Sequence, residues 1–196
     1  MTLVLTPQDK YCLQQLKASG LFLNIDAEKL HIVDGVIAVF CGDGDQSDDL
    51  YKHVVSVCRG RIADNRIHLV ALNGGAILMS GQLGGSQNCH GETMFENVLD
   101  ASRLKKMNDV FLYMHAPCGI VRAKGFGIVD QVRYLMMARD RLSEVAPRLH
   151  LWCFCHVDTY DEAEGATHKR RTYFVPRARW SDEALLPILH ELKGVA

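Results

Sequence analysis

Residues 109–119, DVFLYMHAPCG, run a short apolar segment directly into His115, Ala116, Pro117, Cys118 and Gly119. A continuous apolar stretch of this length reads as a strand buried on both faces, as in parallel sheets covered by helices. Upstream, residues 35–41, GVIAVFC, repeat the pattern and end in Cys41. In an open parallel α/β sheet, ligands collect outside the carboxyl ends of the strands, where residues distant in sequence meet. Two thiolates and an imidazole are donors that zinc prefers, and a Cys₂His set leaves a fourth position for water, as in catalytic sites. Cys41, His115 and Cys118 are therefore the candidate metal ligands. An isolated His-x-x-Cys would read as a core histidine beside a buried thiol. A further cysteine at a second strand end turns the reading toward zinc.

Working outward, HLVALN at 68–73 is a strand closed by Gly74 and Gly75, and LHLWCFCHV at 149–157 is another. RTYFV at 171–175 reads as an edge strand, because Pro176 cannot donate a ladder hydrogen bond. Thr6, Pro7 and Asp9 look like a cap, a first-turn proline and an acidic partner, opening a helix over about 6–19. Phe95, Val98, Leu99 and Ser102 mark a helical face, as do Ile128, Val129, Val132, Leu135 and Met136. Ser181 caps a last helix over about 181–193, which Pro187 kinks or delays. Strand and helix alternate, the βαβ signal. The expectation is a single domain over 1–196, an α/β fold with a mainly parallel sheet of four strands plus an edge strand, flanked by helices. Residues 80–92, SGQLGGSQNCHGE, read as a long mobile loop that could bring Cys89 and His90 to the metal as a lid.

Composition narrows the function classes. The 22 basic and 23 acidic side chains nearly cancel, so no bulk attraction to nucleic acid or a membrane surface follows. The amino-terminal segment lacks the marks of a signal peptide and no apolar run reaches spanning length, so a soluble cytoplasmic protein is expected. Seven cysteines at irregular positions point to reduced thiols and a metal rather than a disulfide framework.

These residues resemble the β-class carbonic anhydrases. That family carries Cys-x-Asp-x-Arg after one strand and His-x-x-Cys-Gly after a later one. Here the first reads Cys41, Gly42, Asp43, Gly44, Asp45 and the second His115, Ala116, Pro117, Cys118, Gly119. HLVALNGG is a loose match to the family's Arg-Asn-Ala-Gly-Asn segment through Asn73 and Gly74, and WCFCHVDTYDEAEG is similar to its late strand. The resemblance spans roughly residues 33–176. It implies a β-carbonic-anhydrase-like fold, a Zn²⁺ cofactor and a lyase that hydrates CO₂ to bicarbonate through zinc-bound hydroxide. Asp43 would be the catalytic orienter, Gly119, Asn73 and Gly74 the substrate contacts, and a homodimer or larger homo-oligomer the assembly. One departure stands out: Asp45 occupies the position of the arginine that, in the family, holds the aspartate off the metal. A second carboxylate there favours Asp43 either binding zinc or keeping a proton. Hence the alternative is a non-catalytic zinc protein with a closed Cys₂HisAsp shell and an assembly, sensing or regulatory role.

Other readings compete for single features. Asp43 and Asp45 after a strand also suit a magnesium-dependent phosphatase, which leaves the His-x-x-Cys unit without a role. Asp48 and Asp49 read as a solvated turn capping the next helix. Cys153 and Cys155 share one strand face as core thiols, with His156 on the other. His168 to Arg171 read as a solvated basic hairpin.

Overall fold

The computed structural model describes residues 3–24, 30, 32, 34–58, 66–161, 167–181, 183–185 and 187–188. Its elements in chain order are α1 (Pro7–Ala18), β1 (Val36–Cys41), α2 (Gly44–Cys58), β2 (Ile67–Leu72), a 3₁₀ turn (Gly75–Ser80), α3 (Ser86–Lys105), β3 (Asp109–Ala116), α4 (Gly119–Ala123), α5 (Ile128–Val145), β4 (His150–Asp161) and β5 (Thr167–Phe174). The five strands form one sheet in the order β2-β1-β3-β4-β5. The pairs β1·β2, β1·β3 and β3·β4 are parallel and β4·β5 is antiparallel. This is an α/β fold with a five-stranded, mostly parallel sheet flanked by helices.

The apolar continuity of β1 and β3 has a direct cause: every residue of both strands is buried. On one face, Ile37, Val39, Leu112, Met114, Cys153 and Cys155 pack with buried residues of α1, α3, α5 and the 3₁₀ turn. On the other, Ala38, Phe40, Phe111, Tyr113 and Phe154 pack against Leu50, Val54 and Val57 of α2. From β1 the chain crosses by α2 to β2 on one flank, then returns by α3 on the opposite face to β3. The order therefore reverses between β1 and β3, opening a crevice at their carboxyl ends. Cys41 ends β1 at that point, and His115 lies one residue from the end of β3.

Two segments differ from the sequence reading. The expected loop at 80–92 is confined to residues 81–85, and α3 starts at Ser86, so Cys89 and His90 are exposed on its first turns. Glycine and amide residues there signalled flexibility, but Gly91 is a packing glycine. A Cβ on it would lie 2.2 Å from the Leu78 carbonyl oxygen. Gly91→Ala is expected to destabilise the protein by roughly 1–3 kcal/mol or more, measured by urea denaturation, because backbone would have to shift. A neutral substitution would show that α3 and the 3₁₀ turn do not meet this closely.

The acidic run after β1 is the second difference. It is helix from Gly44 onward, with Asp48 paired to Lys52 at 2.5 Å and Asp49 paired to Arg170. Asp43, not Asp48 or Asp49, makes the capping bond. At the other terminus, residues 183–185 and 187–188 are helical, and the Ala184 N–H donates to Ser181 Oγ at 3.1 Å. The rest of the helix read at 181–193 lies outside the described residues. Among the described residues no helix is long and apolar enough to cross a membrane.

Candidate metal centre

Cys41, His115 and Cys118 are all buried, and their donor atoms lie within 4.8 Å of one another. Backbone geometry makes room for this convergence. Gly75 adopts φ +61°, and a Cβ there would stand 2.7 Å from the Cys41 nitrogen, so only glycine lets the turn after β2 pass against the end of β1. The same turn aims the Gly74 N–H at Cys41 Sγ, 3.1 Å away. Cys118 immediately precedes α4, which opens at Gly119.

The electrostatics favour a thiolate in this cluster. A hydrogen bond from the Cys118 thiol brings Cys41 well below the usual thiol range, against its burial, and His115 and the Gly74 N–H add to the effect. That bond, with burial, holds the Cys118 proton far above the usual range. Cys41 therefore ionises first. His115 is 2% exposed, and neither Nδ1 nor Nε2 has a hydrogen-bond partner among the described residues. Buried polar atoms are rarely left unpaired, because desolvation without compensation costs on the order of 1–3 kcal/mol. A soft divalent cation would use an imidazole nitrogen and both sulfurs at once, so this donor set fits zinc.

Asp43 stands beside the trio. Its Oδ1 accepts the Asp45 N–H at 3.0 Å, which caps α2, and its Oδ2 lies 3.9 Å from His115 Nε2. Asp45 contributes this backbone donor, while its side chain is exposed. Arg66 does not substitute for the arginine absent at position 45. It donates at 3.0 Å to the carbonyls of Asp34 and Lys105, beside the amino-terminal ends of the strands. Arg59 and Arg61 lie outside the described residues. Gly42 passes so close to Asn73 that a Cβ would meet Asn73 Oδ1 at 2.9 Å, which places Asn73 against the loop carrying Asp43. Among the described residues, no group other than Cys41, His115 and Cys118 brings three metal-ligating side chains together.

The sequence reading missed a polar array on the α2 face of the sheet. His115 pairs in register with His156, and His156 with Thr172. His156 Nδ1 lies 2.9 Å from Thr172 Oγ1, and His53 Nδ1 lies 2.8 Å from the Tyr113 hydroxyl. Asp158, almost fully buried, receives His168 Nδ1 at 2.8 Å and Arg170 Nε at 2.9 Å. Arg170 is thus half-buried rather than solvated, whereas His168, though paired with Asp158, stays exposed like Lys169 and Arg171. The available signal was the two-residue alternation of His156 with Asp158 and of His168, Arg170 and Thr172, which puts all five on one face.

Burial depresses His53 and His156 to about 4, so both rings are neutral in the folded protein. Below about pH 6.5 the unfolded chain binds more protons at these positions than the folded one. Their stability contribution is therefore complete above that pH and is lost as the pH falls toward 4. The full loss is on the order of 3 kcal/mol per ring. The urea midpoint should begin to drop below about pH 6.5, well before Asp49 and Asp140, both held below their usual value by arginine partners, start to protonate. A midpoint flat from pH 7 to 5 would mean that the rings are not buried as neutral groups.

No protein-family model matches the sequence, and no curated protein matches it. Among solved structures the chain is similar to the wild-type β-carbonic anhydrase CafD of the filamentous fungus Aspergillus fumigatus, with 11% identity and a TM-score of 0.46 over 79% of this chain and 99% of that one. It is also similar to carbonic anhydrase from Streptococcus mutans, with 10% identity and a TM-score of 0.44 over 89% and 100% of the two chains. Carbonic anhydrase from Glaciozyma antarctica overlaps at 10% identity and a TM-score of 0.37, over 81% and 93%. Overlaps this loose assign no role to any residue of this chain.

Proposed function

We propose that Cys41, His115 and Cys118 bind zinc and that the protein hydrates CO₂ or a related small carbon substrate, with Asp43 controlling access to the fourth position. The observation that carries this reading is the buried imidazole of His115, unpartnered at both nitrogens and set within 4.8 Å of two cysteine sulfurs. Zinc, when bound, supplies a Lewis acid able to bring the pKa of a water toward about 7. Two thiolates offset its charge, so the groups around them matter. The Gly74 N–H draws electron density from the Cys41 sulfur, which tempers that offset. Asp43 Oδ2 is the acceptor that orients a reacting water, and Oδ1 is tied to the amino terminus of α2. That backbone donor and the helix dipole take over part of the work that an arginine does in the family this sequence resembles. Asn73, Gly74 and Gly119 are assigned to substrate contact on the same reading.

A specific distance favours a second reading. Asp43 Oδ2, 3.9 Å from His115 Nε2, is close enough to serve as the fourth ligand, which gives a closed Cys₂HisAsp site with an assembly, sensing or regulatory role. Stopped-flow CO₂ hydration by the zinc-loaded protein separates the two. Turnover that rises between pH 7 and 9 and disappears in Cys118→Ser supports the enzyme. Stoichiometric zinc with no turnover across that range supports the closed site.

A homodimer or larger assembly is part of the proposal. Its support is β2, which among the described residues is an outer strand of the sheet and exposes Leu69 and Leu72, a surface suited to a second strand.

A further inference from the structure

Asp43 caps the amino-terminal half of α2, yet that half has little apolar anchoring. The buried apolar residues of this helix begin only at Leu50 and continue through Val54, Val57 and Cys58. Before Leu50 the sole buried residue is Gln46, whose Oε1 has no partner among the described residues. Hydrophobic packing therefore fixes the carboxyl-terminal half of the helix and leaves its first two turns to polar contacts. One such contact reaches across to the sheet. Arg170 of β5 donates through Nη1 to Asp49 Oδ2 on α2 and through Nε to Asp158 Oδ2 on β4, the latter at 2.9 Å. Its guanidinium is a two-armed strap between helix and sheet, a geometry that a lysine cannot reproduce.

We infer that Arg170 is a positioning residue for Asp43: by strapping Asp49 to Asp158 it fixes the first turns of α2 and so sets where the Asp43 carboxylate stands relative to His115. Asp43 caps α2 through the Asp45 N–H and Asp49 lies within the helix, six residues on and roughly 9 Å along its axis. A tilt of the helix start moves Asp43 directly, whereas the thiols and imidazole belong to β1, β3 and the α4 junction and stay in place. The Arg170 hydrogen bond also keeps Asp49 below the usual carboxylate range, so the strap persists across neutral and mildly acidic pH. The inference rests on reading Cys41, His115 and Cys118 as metal ligands with Asp43 as their neighbour.

The test uses cobalt(II) added to the metal-free full-length protein, because its visible bands report the number and kind of groups around the ion while its near-ultraviolet bands report thiolate ligation. Arg170→Gln and Asp49→Asn should keep the thiolate bands but shift the visible bands and their pH dependence in the direction that Asp43→Asn shifts them. Zinc affinity should fall by about 10-fold, the range of supporting groups around a metal. In the Asp43→Asn background, Arg170→Gln should cause no further spectral change. Asp140→Asn, which breaks the Arg177 ion pair on α5, serves as the destabilised control and should leave the spectrum unchanged. Asp49→Asn takes the charge from only the helix-side arm and so weakens it, and it remains informative if Arg170→Gln folds poorly. Unaltered visible bands in Asp49→Asn, or equal shifts in Asp140→Asn, would overturn the positioning role while leaving the ligand assignment intact. A wild-type protein without thiolate bands would overturn the ligand assignment and the inference together.

Discussion

Cys41→Ser, Cys118→Ser and His115→Ala are each expected to lower zinc affinity by at least about 100-fold, the upper end of what losing a supporting group costs at a metal site. The size of the effect follows from the small number of donors. Three side chains converge within 4.8 Å, and among the described residues no other group brings three metal-ligating side chains together. Removing one sulfur also strands its partner. Without Cys118, Cys41 loses the hydrogen bond that most lowers its pKa, and without Cys41 the Cys118 thiol keeps only its backbone contacts. Metal-binding free energy is also folding free energy when the site exists only in the folded chain, so the same variants should lose the stabilisation that added zinc gives the wild type. Competition titration against a chromophoric chelator, with elemental analysis of the purified proteins, measures both. Full zinc retention in both cysteine variants would falsify the ligand assignment.

Asp45→Arg is expected to raise CO₂ hydration near neutral pH by roughly tenfold or more, equivalent to about 1.4 kcal/mol of barrier. In wild type, the hydrogen bond that holds the Asp43 carboxylate among the described residues comes from the Asp45 N–H to Oδ1, which leaves Oδ2 facing His115. An arginine side chain at 45 would add a full positive charge beside that carboxylate and draw Oδ2 away from the ligand cluster. Position 45 is exposed, so the longer side chain has space and the substitution need not disturb packing. Stopped-flow assays on matched zinc-loaded proteins give the comparison. Vigorous wild-type turnover, unchanged or reduced by the arginine, would mean that Asp43 is already held clear of the metal by other groups.

The parts of this molecule legible in the sequence are those in which one local signal dominates. The apolar runs ending at Cys41 and near His115 could be read because a strand buried on both faces has no alternation to obscure it. Their ends fall at the reversal of strand order, so reading the strands also located the cluster. Segments 43–49 and 80–92 were harder because their glycines, aspartates and amides favour turns when considered locally. Asp43 instead caps a helix, and Gly91 lies inside one because its missing side chain lets the helix touch the Leu78 carbonyl. The strap at Arg170 was hidden for another reason. Its partners come from α2 and β4, and a run of basic residues looks solvated until strand alternation is followed across the hairpin.

The most direct test of the central claim is zinc K-edge X-ray absorption on the full-length protein loaded with one equivalent of metal. The account predicts two sulfur scatterers at about 2.3 Å and a histidine nitrogen at about 2.0–2.1 Å, completed by one oxygen. It also predicts loss of one sulfur in Cys118→Ser. A shell made only of oxygen and nitrogen, unchanged in Cys118→Ser, would contradict it.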